Sequence, residues 1–189
     1  EEKRARAERL WGESKPVRFS PASAYLKRRR IAGVSAELRF HPRMTSLDDS
    51  VRRPALMCAL RNSSGEVQGV QATLLTAYGA SKAHVATPRR VIGKLLGGAV
   101  HLSPAGDMLI IAEGVESALS AGEALQAPAW AALTAYNLSQ FEPPSGVGLL
   151  IAAPDNDPAG FEALDILRER LSGRCDIEHA PPPSGLNDW

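Results

Sequence analysis

The rhythm of hydrophobic and polar positions changes several times along this 189-residue chain. Residues 1–14 are charged and Ala-rich and read as one exposed helix. Ser20-Pro21 marks a second helix start, with Ser20 as N-cap and Pro21 in the first turn, where its missing N–H is no loss. That helix runs through Tyr25 and Leu26 into Lys27-Arg28-Arg29-Arg30, cations that suit a helix C-terminus and also suit phosphate. From Pro54 the pattern is that of strands. Residues 55–60 are apolar, Asn62-Ser63-Ser64-Gly65 is a turn, and residues 67–75 are β-rich, which together predict a hairpin. Residues 81–96 are basic and irregular, and Gly97-Gly98 and Pro104-Ala105-Gly106 punctuate the passage into the second half.

The second half alternates strand and helix. Strands are expected at 107–112, 129–133, 147–153 and 175–179, with helices at 115–125 and 158–171, the latter opened by Pro158. Short apolar strands alternating with helices predict a parallel α/β sheet covered on both faces.

Charge sharpens this division. Residues 1–105 carry 19 basic and 8 acidic side chains, residues 106–189 carry 3 and 13, and the whole chain is only +1. A cationic half joined to an anionic half fits a protein that holds a polyanion with one part and cations with the other, or two lobes that attract each other. The expected domains are therefore 1–105, a basic lobe, and 106–189. No apolar run approaches the roughly 18 to 20 residues of a membrane span, and no secretory signal opens the chain, so a cytoplasmic location is expected. Cys58 and Cys175 lie far apart and read as reduced thiols rather than a disulfide framework or a zinc site. A chain that starts at Glu1 and stops at Trp189 reads as a fragment.

The chemistry-bearing residues are acidic. Glu113 directly follows one expected strand, and Asp155 and Asp157 follow another. Ligands gather at the carboxyl ends of strands in open parallel sheets. If those two strands are neighbours, three carboxylates meet, and a hard divalent cation, Mg2+ or Mn2+, relieves their repulsion. Each also has a plainer role: Glu113 could cap the helix after Gly114, and Asp155 could cap the helix at Pro158. Asn156 is expected to shape the turn and Gly160 to allow close packing at the helix start.

The run Leu109-Ile110-Ile111-Ala112-Glu113-Gly114-Val115-Glu116-Ser117-Ala118 resembles the strand, glutamate, glycine and helix opening of the Toprim family. Residues 150–160, with Asp155-Asn156-Asp157 and Gly160, are similar to its Asp-x-Asp element. Upstream, Arg61-Asn62 in the hairpin, Ser81-Lys82, Pro88 and Gly93-Lys94-Leu95-Leu96-Gly97 look like the basic lobe that precedes Toprim in DNA primases of phages, plasmids and mobile elements. Asn187-Asp188-Trp189 resembles the ending of mobile-element primases. The resemblance implies a Toprim-type Rossmann-like parallel sheet flanked by helices, preceded by a smaller basic α+β lobe. It implies a nucleotidyltransferase of DNA replication that makes RNA primers, with Glu113, Asp155 and Asp157 holding Mg2+ or Mn2+. Arg61, Lys82, Arg90 and Lys94 become candidates for nucleotide or nucleic-acid contact. The implied partners are a single-stranded DNA template, nucleoside triphosphates and a replicative helicase. A Toprim nuclease and a non-catalytic nucleic-acid-binding domain are the alternatives.

Overall fold

Six consecutive apolar residues, 55–60, are all buried, which a strand achieves only when both faces of its sheet are covered. The computed structural model describes residues 1–33 and 35–189 and separates into two units, Glu1–Leu95 and Leu96–Trp189. The first runs α1 (Glu2–Glu13), β1 (Lys15–Pro16), α2 (Pro21–Arg28), β2 (Leu38–Thr45), β3 (Arg52–Arg61), β4 (Val67–Leu74) and β5 (Arg89–Gly93). The five strands form an antiparallel sheet in sequence order. Ala55, Met57 and Ala59 share one face with Val70, Ala72 and Leu74, where Ala7 and Trp11 of α1 close the cluster. Alternation sends Leu56, Cys58 and Leu60 to the opposite face, and α2 packs on β3 with Tyr25 and Leu26 buried.

The first helix is therefore not simply exposed. Its charged majority faces water, but Ala7 is fully buried and Trp11 nearly so, with the Arg39 guanidinium 4.2 Å from the indole centroid. One glycine, Gly93, makes room for this helix. Gly69 and Gly93 are register partners across β4 and β5, and Gly93 holds φ +101°. A Cβ on Gly93 would stand 2.5 Å from the Gln68 carbonyl oxygen, 2.6 Å from Gly69 Cα and 3.2 Å from Ala7 Cβ. The segment expected to be irregular, 81–96, thus contains the edge strand β5, whose short run of Arg, Val and Ile carried too little alternation to announce it. The expected hairpin is β3–β4, and its turn is held by Asn62 Oδ1, which accepts from the Ser64 and Glu66 amides at 3.0 and 2.9 Å. Ser20 caps α2 as its sequence demands.

The second unit runs β6 (Val100–His101), β7 (Met108–Ala112), α3 (Val115–Leu125), β8 (Ala129–Ala131), α4 (Ala135–Ser139), β9 (Leu149–Ala153), α5 (Pro158–Leu171) and β10 (Asp176–His179). The sheet order is β10-β9-β7-β8-β6, parallel except for the antiparallel edge strand β6. Leu109, Ile111, Leu150 and Ala152 pack with Leu164, Leu167 and Leu171 of α5 on one face. The opposite face takes α3, whose Gly122 allows close approach to Ala129. This is the mixed α/β architecture with helices on both sides of a mainly parallel sheet that the strand–helix rhythm predicts. The unit begins at Leu96 rather than near residue 106, because β6 pairs with β8 and the buried Asn137 side chain bonds the Gly97 amide and the Gly98 carbonyl. Both cysteines are free, Cys58 buried and Cys175 partly so. Among the described residues no helix is long and apolar enough to cross a membrane.

Gly93→Ala should lower stability by more than about 1 kcal/mol, because it adds a backbone collision to the strain of a positive φ. Gly65→Ala, at φ +79° with nothing within 4 Å, should cost less. Urea unfolding midpoints compare the two, and equal losses would mean that the close approach under α1 carries no weight.

Candidate functional site

Parallel pairing sets where the acidic residues stand. Ala112 is the register partner of both Ala153 in β9 and Ala131 in β8, so three strands end at one edge of the sheet. Glu113 leaves β7 there, and Asp155 follows β9 after a single buried proline, Pro154. The chain turns at Asp155 because Gly160, in the first turn of α5, lies against the Asp155 carbonyl oxygen; any Cβ at that position would collide with it. Glu113 Oε1 accepts a hydrogen bond from the Asp155 amide at 3.1 Å. Asp157 is the N-cap of α5, its Oδ1 accepting from the Gly160 amide at 2.9 Å, and Pro158 follows at the first helical position. The structure thus brings Glu113 and the Asp155–Asp157 turn together, and gives the cap to Asp157 rather than to Asp155.

Electrostatics records this convergence. Burial, the largest influence, pushes the Glu113 carboxyl above its ordinary value of 4.5, and the negative charges of Asp155 and Asp157 push it the same way. The amides of Asp155 and Ala135 oppose the rise. Among the described residues, however, no group of three or more His, Cys, Asp or Glu is arranged so that it could hold a metal ion. One oxygen of Glu113 and one of Asp157 accept from backbone amides. The donor chemistry still suits a hard cation, since a carboxylate that accepts through one oxygen keeps a second for a ligand.

Two further segments contribute to this edge, and the first of them left no signal in the sequence. Leu133, just after β8, adopts φ +73°, a left-handed conformation costing of order 1–3 kcal/mol for a residue with a Cβ. It leads into the Thr134 cap of α4, whose first residue offers the Ala135 amide toward Glu113. The downstream segment also reaches the acidic loop: the Asn187 carbonyl accepts from the Asn156 amide at 2.7 Å, and Trp189 Nε1 donates to the Ala180 carbonyl at 3.0 Å.

The basic candidates do not form one cluster. Arg61 is committed to structure, pairing with both oxygens of Glu37 at 2.9 Å and donating to the Gly65 carbonyl at 2.7 Å. Lys82 bridges to Leu75 and lines a pocket of about 450 Å³ with Tyr25, Arg28, Arg29, Ser81 and His84. Lys94 lines another, of about 540 Å³, with Lys3 and Arg4. Arg90, on β5, keeps a buried Nε with no hydrogen-bond partner, and burial followed by the charge of Arg6 pushes its pKa down.

With that geometry in view, the relationships of the chain are clear. The chain belongs to the family described as a domain of unknown function (DUF7146), which matches residues 1–102. Residues 108–189 match the Toprim domain family. No curated protein matches the sequence. Among solved structures, the primase fragment of the bacteriophage T7 primase-helicase protein is 14% identical with a TM-score of 0.54, over 90% of this chain and 67% of that one. The Aquifex aeolicus primase, comprising zinc-binding and RNA polymerase domains, is 14% identical with a TM-score of 0.61, over 98% and 56%. A DnaG primase catalytic domain bound to ssDNA is 14% identical with a TM-score of 0.55, over 98% and 73%. The chain therefore has the fold of phage and bacterial primase catalytic cores, and spans little more than half of the Aquifex aeolicus chain.

Asp157→Ala should destabilise the chain by about 0.5–2 kcal/mol through loss of the α5 cap, whereas Asp157→Asn, which keeps an acceptor oxygen, should stay near wild type in thermal unfolding. Glu113 titrates in the opposite sense to a paired carboxylate. Its folded pKa lies above the unfolded 4.5, so the protonated form favours the fold below that pH, and the benefit disappears as pH rises through the folded pKa. In EDTA, Glu113→Gln should melt above wild type at pH 8 and level with it at pH 4. The reverse ordering would mean that hydrogen bonding outweighs burial at this carboxyl.

Proposed function

We propose that the chain is a primase-type catalytic core, a nucleotidyltransferase that joins ribonucleotides on a single-stranded DNA template. The observation that carries this reading is the meeting of Glu113 with the Asp155–Asp157 turn at the carboxyl edge of a parallel sheet. It is supported by the shared fold with primase cores, one of them bound to ssDNA. Glu113, Asp155 and Asp157 would hold Mg2+ or Mn2+, a hard cation that would offset the burial and the neighbouring carboxylate charges that together raise the Glu113 pKa. When bound, the ion supplies charge stabilisation at the triphosphate and lowers the pKa of the attacking hydroxyl. Pro154 and Gly160 fix where Asp155 leaves the sheet, and the α5 cap holds Asp157 beside it. Lys82, Arg90 and Lys94 draw phosphate to the first unit, while Arg61 keeps the hairpin turn in shape. The partners in this reading are single-stranded DNA, nucleoside triphosphates and a replicative helicase, as the T7 relative is part of a primase-helicase protein. A cytoplasmic setting accompanies it.

A second reading has one observation in its favour. Because oxygens of Glu113 and Asp157 are already taken by backbone amides, the carboxylates also suit a domain that binds nucleic acid without catalysis.

The deciding assay supplies the chain with a single-stranded template, labelled ribonucleotides and Mg2+. Short RNA products are expected, and Asp155→Asn should reduce them by more than about 100-fold, since several kcal/mol of charge stabilisation is at stake. Absence of product, with DNA binding unchanged in Asp155→Asn and Asp157→Asn, would favour the non-catalytic reading. Cleavage of labelled DNA in Mn2+ without synthesis would make the domain a nuclease.

A further inference from the structure

The two most exposed large hydrophobic side chains in the first unit are both aromatic: Phe19 is 91% and Tyr78 88% exposed. Neither sits on a loose segment. Phe19 lies between Val17, which is buried, and Ser20, which caps α2 and donates its hydroxyl to the Val17 carbonyl. Its backbone holds φ +58°, a region that a bulky side chain enters only when its surroundings force it. Tyr78 belongs to a turn closed by the Gly79 amide on the Thr76 carbonyl at 2.9 Å and by the Ser81 amide on Thr76 Oγ1 at 3.2 Å. The two loops touch, because Gly79 lies so close to the Pro21 carbonyl that a Cβ there would collide with it.

Beside these loops lies the pocket of about 450 Å³ that holds Lys82. Arg28 and Arg29 enter it from the end of α2, Ser81 and His84 come from the same loop as Lys82, and none of its lining residues is acidic. Arg18 stands over the Phe19 ring, 4.9 Å from its centroid. Water-exposed rings held in strained or tightly turned backbone, next to a cationic pocket, combine the two features that unpaired strands need: flat faces for bases and positive charge for phosphates.

We propose that this surface binds single-stranded nucleic acid, with bases stacking on Phe19 and Tyr78 and the intervening phosphates entering the pocket of Arg28, Arg29 and Lys82. The inference rests on the nucleic-acid reading of the first unit but not on metal-dependent synthesis. A duplex is a poor occupant, since its base faces are already stacked on one another. The rings give the surface tolerance of sequence, because every base has a face, and the cations give it salt sensitivity.

Fluorescence anisotropy on the full chain tests this in EDTA, where no synthesis occurs, with labelled oligo-dT and an abasic strand of equal length. Phe19→Ala should weaken oligo-dT binding roughly 5- to 100-fold, the range expected for loss of one stacked base, and leave the abasic strand unchanged. Tyr78→Ala should behave likewise. Arg28→Gln and Lys82→Gln should weaken both strands and each reduce the salt slope by about 0.7. Equal binding of oligo-dT and abasic strand by wild type, or indifference to Phe19→Ala and Tyr78→Ala together, would overturn the proposal, as would a preference for duplex. Intact ring-dependent binding in a chain that makes no primers would refute the catalytic reading while supporting this one.

Discussion

Side-by-side pairing of β7 with β9 is the constraint on which the acidic edge depends. With Ala112 opposite Ala153, the next side chains beyond each strand have only one edge of the sheet at which to emerge. Parallel strands also place their exposed carboxyl ends together, whereas an antiparallel pair would have put Glu113 and Asp155 at opposite ends. A shift of one residue would turn Leu109 and Ile111 to the α3 side and Ile110 to the α5 side, exchanging the two cores. Register is therefore policed by burial of Leu109, Ile111, Leu150 and Ala152, and the placement of the carboxylates is its consequence. The position of the acids is secured by apolar residues that carry no chemistry themselves.

Within that edge, local bonding and accumulated charge pull in different directions. Amide donors from Asp155 and Ala135 stabilise an ionised Glu113, while burial and two neighbouring carboxylates work against it, with burial the stronger influence. The Asp157 cap orders the start of α5 but orients the aspartate toward the helix. An edge built this way is ordered by its own hydrogen bonds.

Much of this was legible in the residues. The strand–helix alternation, the Ser20-Pro21 and Pro158 helix starts and the β3–β4 hairpin arise from local patterns with strong physical causes, whereas the meeting of Glu113 with Asp155 was expected only on condition that their two strands pair. What escaped was set by contacts distant in sequence. The helix at the start of the chain shows only Ala5, Ala7, Leu10 and Trp11 against many charges, and its close approach to β5 depends on Gly93 far downstream. β5 and β6 are short edge strands whose pairing partners define them. Arg61 looked available for phosphate because its partner Glu37 lies outside the hairpin. The left-handed turn at Leu133 has no glycine or asparagine to mark it. The aromatic residues beside Lys82 were equally silent, since sequence does not tell an exposed Phe from a core one.

The bond from the Asn156 amide to the Asn187 carbonyl gives the acidic loop a distant guarantor. Between these two residues the chain completes α5 and adds β10 to the sheet edge before it returns. A brief release of residues around Asn187 would loosen the segment that carries Asp155 and Asp157 while leaving the sheet intact, so order in this corner can vary without any change in the rest of the unit.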